Sequence, residues 1–408
     1  MSTLYSAGEH LNHLARALSV AASSANANFP IANLFDGYPG VPFRFNAAGA
    51  DDAITVDNAL WSGGGFEGAS LSADGWTATG TAAKSTAQHY VGAASCLCAD
   101  GDTAYRDVIV RAGGTYTVSA RARAASGTPS AIVYIQNRDT GKFWTGTAWS
   151  ASPTAALDGV PAADWTTWYG AVGVATFAVE SAALCLGPLT TLGITVGSFD
   201  GAGSYFDEVA IWPRVSLLHV AGHNIDPAIA VQLRSSTDAF GAVDTLEGTA
   251  TKQRDAFAMA LTSGNRDRRY WRVKFSGTNS AAIELGELIL TEYRTLSTAA
   301  RYPLRISYLE RQSRAFGTAY SLSQRPERTL DLEYEHSTLA DYQEMRDELL
   351  FRVRGRLYPI VIIPDDQVDS DIAVYGTCES AWEVARPQNL IRTHQLRVVE
   401  LPFSTQAP

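Results

Sequence analysis

Short stretches in which apolar and polar residues alternate one by one, each closed by a cluster of turn formers, recur along most of this 408-residue chain. Successive side chains of a strand point to opposite faces, so alternation of this kind specifies strands with one buried face. Gly114-Thr115-Tyr116-Thr117-Val118-Ser119-Ala120-Arg121-Ala122 and Ser130-Ala131-Ile132-Val133-Tyr134-Ile135-Gln136 alternate cleanly. So do Asp51–Asp57, Ala230–Ser236, Arg269–Phe275 and Thr329–Tyr334. Ala99-Asp100-Gly101-Asp102, Asn137-Arg138-Asp139-Thr140-Gly141 and Asp158-Gly159-Val160-Pro161 are the turns between some of them. Many short strands at this spacing predict a mainly β protein of sandwiches or jelly rolls.

Composition narrows the function classes. Apolar residues make up 46% and charged residues 18%, which excludes general disorder. The net charge of −10 gives no electrostatic footprint for nucleic acid. No apolar run of about 18 residues is present, so no transmembrane helix is expected. Ala15–Ala27 is small and apolar and ends in Ala25-Asn26-Ala27, like a signal-peptide cleavage site. The residues before it carry Glu9 and no lysine, whereas a secretion signal needs a positive leader. Leu4, Leu11, Leu14 and Leu18 fall at roughly helical spacing, which predicts a short amphipathic helix or docking arm over 1–28 in a protein synthesised in the cytoplasm.

The motifs that would carry chemistry fail on context. Cys96, Cys98, Cys185 and Cys378 form no disulfide framework or zinc spacing and are read as small buried hydrophobes in a reduced protein. His219 and His223 are four apart, but on a strand that separation is roughly 13 Å, too far to share a metal. His223 is expected in a structural hydrogen bond. Gly63-Gly64-Gly65-Phe66-Glu67-Gly68 matches a dinucleotide fingerprint in letters, yet no helical period follows it. Asp51-Asp52 and Asp365-Asp366 are adjacent acids, which on a strand face opposite ways. No catalytic constellation emerges, and no enzymatic activity is expected.

From Asn58 to Pro213 the texture changes, and this segment resembles the carbohydrate-binding-module-like jelly rolls. The resemblance rests on Gly65-Phe66-Glu67-Gly68, Gly75-Trp76-Thr77, Gly114–Ser119, Asp164-Trp165-Thr166 and Ser204-Tyr205-Phe206-Asp207-Glu208-Val209. It implies that Glu67 and Asp207 meet across the sandwich and are candidates to hold a structural calcium ion. Calcium takes six to eight oxygens, of which the sequence identifies two residues' worth. The flanking pieces Asn33-Leu34-Phe35-Asp36-Gly37, Gly222-His223-Asn224, Arg269-Tyr270-Trp271-Arg272 and Leu285-Gly286-Glu287-Leu288 resemble the discoidin-like (galactose-binding-like) sandwich of bacteriophage virion proteins. The last hundred residues resemble tail-assembly proteins of tailed phages. Their carriers are the Pro364-Asp365-Asp366 turn, the terminal Glu400-Leu401-Pro402-Phe403 and a helix expected from Ser337 to Arg354. The arginines from Arg301 to Arg328 are read as a subunit interface.

The expected architecture is two β-sandwich or jelly-roll domains, one inserted in the other, plus a small α+β C-terminal domain. The boundaries are an arm at 1–28, a discoidin-like sandwich at 29–57 and 214–296, an inserted jelly roll at 58–213, and a tail-assembly domain at 297–408. These resemblances imply a structural component of a phage tail, at the tail tip or baseplate, located in the virion. Its expected partners are other tail proteins, further copies in a threefold or sixfold ring, and a glycan on the host surface. A carbohydrate-active enzyme's accessory chain and a bacterial surface lectin remain as alternatives. Sugar faces stack on aromatic rings, and Tyr134, Phe143, Trp144 and Trp149 fall together in one strand-turn-strand region as the candidate platform.

Overall fold

The computed structural model describes residues 3–7, 12–36, 41–48, 50–61, 64–161, 165–167, 174–179, 189–250, 256–296, 304–315, 318–336, 359–364, 373–378, 383–385 and 392–401. It is mainly β and antiparallel, as the alternation predicts. The chain divides into two compact units, Asn58–Arg214 on the one hand and Met1–Asp57 with Val215–Pro408 on the other.

The Asn58–Arg214 unit is a sandwich of two sheets. The larger runs in the order Trp149–Ser150, Phe143–Trp144, Ser130–Asn137, Leu189–Phe199, Thr103–Arg111, Thr77–Thr79, and Leu157–Gly159 also pairs with Ser130–Asn137. The smaller runs Thr166–Thr167, Thr115–Ala124, Ser204–Pro213, Ser95–Cys98, Ala83–Ser85, with Val174–Ala178 on Thr115–Ala124. One face of each strand fills the core between them: Ala104, Val108 and Val110; Ala131, Val133 and Ile135; Leu192, Ile194 and Val196; Tyr116, Val118 and Ala120. Cys96 and Cys98 are free and buried in that core, and Cys185 lies outside the described residues. The unit's two ends run side by side. Asn58 Nδ2 donates to the Pro213 carbonyl at 3.0 Å, and the Leu60 amide donates to the Ile211 carbonyl at 2.8 Å. Gly64 belongs to this seam rather than to a nucleotide loop. The Val209 amide donates to its carbonyl at 3.0 Å, and a Cβ on Gly64 would overlap the Val209 carbonyl oxygen.

The other unit stacks three sheets. The five-stranded one runs Ser19–Ala22, Ala50–Asp57, Tyr270–Thr278, Ala230–Ser236, Thr245–Ala250, and the four-stranded one runs Ala256–Ala260, Leu217–His223, Glu284–Thr291, Phe43–Arg44. Ile54, Val56, Leu218, Val220, Val231, Trp271 and Val273 pack between those two. The opposite face of the four-stranded sheet, with Leu217, Ala221 and Ile289, packs against Leu4, Val361, Ile363 and Tyr375 of an eight-stranded sheet. Leu217–His223 is therefore buried along its whole length and reads as a continuous rather than an alternating strand. His219 is fully buried there, and His223 Nδ1 accepts the Ile225 amide at 3.2 Å, a structural role as expected.

Two expectations change. The described residues of 1–28 form neither a free arm nor an amphipathic helix. Thr3–Ala7 pairs with Arg294–Leu296 and Ile360–Ile363, Ser19–Ala22 pairs with Ala50–Asp57, and the helical content among them is one 3-10 turn, His13–Arg16. The leucine spacing misleads because Leu4 and Leu14 serve two different cores. The C-terminal region contributes strands to a sheet that begins at Thr3, so its described residues are not a separate fold. The helix expected at 337–354 and the Asp365-Asp366 turn lie outside the described residues.

Asp57 pairs opposite Tyr270 and its carboxylate takes two bonds from Arg269, at 2.8 and 2.7 Å, while the Val215 amide donates to Arg266 at 3.0 Å. The two points where Asn58–Arg214 interrupts this unit thus sit on one short stretch of chain. Deleting 59–213 and joining the ends with a short Gly-Ser bridge leaves a protein that melts cooperatively by circular dichroism. A chain starting at 214 does not, because it loses the Ala50–Asp57 partner of the Tyr270–Thr278 strand and the buried Phe43, Phe45, Ile54 and Val56.

Candidate functional site

The same alternation that fills the core of the Asn58–Arg214 unit leaves the other face of its larger sheet to solvent. Register fixes what stands there. Thr195 on the central strand lies opposite Tyr105 on one neighbour and Tyr134 on the other. Adjacent strands are spaced by about 4.8 Å, so the two tyrosines stand roughly 10 Å apart on either side of a threonine. The next row is Asp107, Gly193, Gln136 and Phe143, and the row on the other side is Thr103, Gly197 and Ile132. The Arg138 guanidinium covers Gly193, and Thr103 with Phe199 covers Gly197, so the low point of the face is a short trough over Thr195 between the two tyrosines.

Arg138 closes the Gly193 end of it. Its Nε donates to Asp107 Oδ1 at 2.9 Å, its Nη1 donates to Gln136 Oε1, and its guanidinium carbon lies 5.2 Å from the Tyr105 ring centre. A Cβ on Gly193 would overlap the guanidinium, which is why glycine is required under it. The group is held at three points before any ligand arrives, so little side-chain freedom remains to be lost on binding. Three aromatic rings, a fixed guanidinium, a carboxylate, an amide and the Thr195 hydroxyl share one face of the sheet. Such a surface can stack the apolar face of a flat polar ligand and hydrogen-bond its edge.

The four aromatics chosen from the sequence do not share a face. Tyr134 and Phe143 stand on the trough side, rings edge-to-face at 6.0 Å. Trp144 and Trp149, paired with each other, face inward and pack on the core at 5.6 Å from one another and 6.1 Å from Phe177. Trp149 Nε1 donates to the Ala178 carbonyl at 2.9 Å. The reason is parity. Phe143 lies opposite Gln136 and so shares the outer face, and the next residue must point the other way. Tyr105, Asp107, Arg138 and Thr195 were not singled out in the sequence. The signal available for them was the pair of glycines four apart within a strand rich in β-branched residues, Leu189–Phe199.

Glu67 and Asp207 do come together, on the backbone amides of one loop. Glu67 accepts from the Ala93 amide at 2.9 and 3.0 Å and from the Ala94 amide at 3.2 Å. Asp207 accepts from Tyr90 at 2.7 Å, Val91 at 3.1 Å and Glu208 at 2.7 Å. Both carboxylates therefore meet the positive ends of backbone N–H dipoles. No group of three or more His, Cys, Asp or Glu able to hold a metal occurs among the described residues. The two acids fasten the segment that exposes Tyr90 and Val91.

With this geometry in view, the comparisons add little. No protein-family model and no curated protein matches the chain. Among solved structures it is similar to a xylan-binding domain from Paenibacillus barcinonensis, at 17% identity and a TM-score of 0.26, covering 34% of this chain and 86% of that one. It is also similar to the C-terminal family 22 carbohydrate binding module of a Clostridium thermocellum protein, at 20% identity, TM-score 0.26, 36% of this chain and 90% of that one. A family 4 carbohydrate-binding module is similar at 18% identity, TM-score 0.22, 45% and 97%. Likenesses at these scores establish neither fold nor activity.

Burial pushes the Asp207 carboxyl up to about 6, from an ordinary 3.8, against the opposing bonds from Tyr90, Val91 and Glu208. The folded protein then holds this proton more tightly than the unfolded chain, so stability falls as pH rises from about 4 through about 6. Asp207→Asn cannot ionise. The melting temperature of the wild type therefore drops between pH 4 and pH 7 relative to that of the variant, and parallel melting curves would contradict the assignment.

Proposed function

We propose that the Asn58–Arg214 unit is a non-catalytic carbohydrate-binding module that lays a glycan chain along the trough on the outer face of its larger sheet. The observation that carries this reading is the row Tyr105–Thr195–Tyr134 beside the pre-fastened Arg138. The tyrosines offer stacking surfaces, Arg138, Asp107 and Gln136 offer donors and acceptors to ring hydroxyls, and the small Thr195 keeps the floor low between the two rings. The gap between the tyrosines, bounded by Arg138 over Gly193 and by Thr103 and Phe199 over Gly197, suits one sugar unit of the glycan chain.

The resemblances carried by the sequence extend this to a second proposal, on where the module works. They favour a phage tail component, at the tip or baseplate of the virion, assembled as a threefold or sixfold homo-oligomer with other tail proteins and directing the module at a host-surface glycan. An accessory chain of a carbohydrate-active enzyme or a bacterial surface lectin would use the same trough. Mass spectrometry of purified particles decides between them: peptides of this chain are expected in the virion, and consistent absence removes the tail reading while leaving the trough untouched.

Glycan-array or affinity-electrophoresis measurements separate binding from packing. Tyr134→Ala should weaken binding about tenfold, equivalent to about 1.4 kcal/mol, with a melting temperature near that of the wild type. Trp149→Ala should do the opposite. It opens space against Phe177 and the core and costs about 2 kcal/mol or more of stability while retaining affinity in the folded fraction.

A further inference from the structure

The outer face of the five-stranded sheet, in the unit of Met1–Asp57 and Val215–Pro408, carries a second arrangement that the trough does not use. Arg234 and Arg272 lie directly opposite each other on neighbouring strands, and the next pair along is Gln232 and Lys274. Like charges directly opposite one another across strands are destabilising unless an anion stands between them. Asp244 partly supplies one. Arg234 Nε donates to Asp244 Oδ1 at 2.6 Å, its Nη1 donates to Gln232 at 3.0 Å, and its Nη2 donates to the Asp244 carbonyl at 3.3 Å. Arg234 is thereby engaged.

Arg272 is placed differently. Its guanidinium carbon sits 3.9 Å from the centre of the Phe240 ring, which fixes the plane of the group. Its polar contacts are long, 3.6 Å to Asp244 and 3.4 Å to Thr55 Oγ1. Lys274 stands two residues along the same strand and face, and its ammonium is 3.6 Å from Asp51. Beyond these two cations the face is low: Thr55 lies opposite Arg272, Ala53 opposite Lys274, and Ala21 opposite Thr55 on the edge strand. An oriented guanidinium and an ammonium, roughly 7 Å apart by strand geometry, thus border an apron of small residues, Thr55 and Ala53 between Asp51 and Asp57 on one strand and Ala21 on the next.

We propose that this face binds an anionic polysaccharide, one carrying carboxylates or sulfates, through Arg272 and Lys274. The guanidinium can meet a planar carboxylate or a sulfate with two N–H groups, and the ammonium can meet a second charge along the chain. The apron admits an extended polymer. Two cations in a chain of net charge −10 match sparse charges better than a dense phosphate backbone. The nearby rings are committed to the arginines, with Phe240 under Arg272 and Tyr270 at 4.9 Å from the Arg269 guanidinium, so they offer no stacking platform for nucleobases. The site lies in a different unit from the trough and does not depend on it.

Affinity electrophoresis of the full-length protein in polygalacturonate and in chondroitin sulfate tests this, with a neutral glucan and single-stranded DNA alongside. Retardation by at least one acidic polysaccharide is expected. The double variant Arg272→Gln, Lys274→Gln should lose about tenfold or more of that affinity, and Lys274→Gln alone should lose part of it, with melting temperature unchanged because both side chains lie outside the cores. Tyr134→Ala should bind the acidic polymer normally, which keeps this site's outcome separate from that of the trough. Failure of the wild type to bind either acidic polysaccharide would overturn the proposal, as would wild-type affinity in both variants or equal competition by the DNA.

Discussion

Everything proposed for the Asn58–Arg214 unit depends on one constraint, the antiparallel register of the Leu189–Phe199 strand between Ser130–Asn137 and Thr103–Arg111. Side chains alternate with a period of two, so that register assigns each residue to the core or to the trough with no intermediate choice. Leu192, Ile194 and Val196 go inward, and Gly193, Thr195 and Gly197 go outward. A slip of one residue would bury the glycines and the threonine and expose the aliphatics. The core therefore locks the site: the burial that holds the sandwich together also sets Tyr105 and Tyr134 on either side of Thr195.

The second unit uses burial in another way. Its four-stranded sheet is covered on both faces, by the five-stranded and the eight-stranded sheets. This lets the chain termini contribute to one structure, since Thr3–Ala7 joins the sheet that ends with Arg392–Glu400. It also leaves the outer face of the five-stranded sheet as a wide flat surface, where charged residues alternate with the core-facing Trp271, Val273 and Phe275.

What the sequence reveals follows from these two modes. Where one face is buried and the other wet, as in Ser130–Gln136 or Arg269–Phe275, alternation shows the strand and its faces. That is why the mainly β character and several strands were legible. The parity of Phe143 and Trp144 was legible in principle too, but grouping aromatics by proximity along the chain ignored it and mixed two faces. Leu4 and Leu14 were misread because a helical period was sought in residues that enter separate cores. Arg138 could not be placed from sequence at all. Its role comes from a turn residue folding back over Gly193, a contact made between strands far apart in the chain. The pairing of Glu67 with Asp207 was anticipated by resemblance, while its bonds to the amides of Tyr90, Val91, Ala93 and Ala94 were not, because backbone amides leave no mark in side-chain identity.

The central claim is that the trough over Thr195 is the glycan-contact surface. Filling it tests the claim most directly. Thr195 is half-buried on the outer face and makes no part of the core, so Thr195→Trp places a large ring in the space between Tyr105 and Tyr134 without disturbing the sandwich beneath. Isothermal titration of the full-length variant against a neutral polysaccharide bound by the wild type should show affinity lost about tenfold or more, with the melting temperature retained. Wild-type affinity in a folded Thr195→Trp protein would contradict the account.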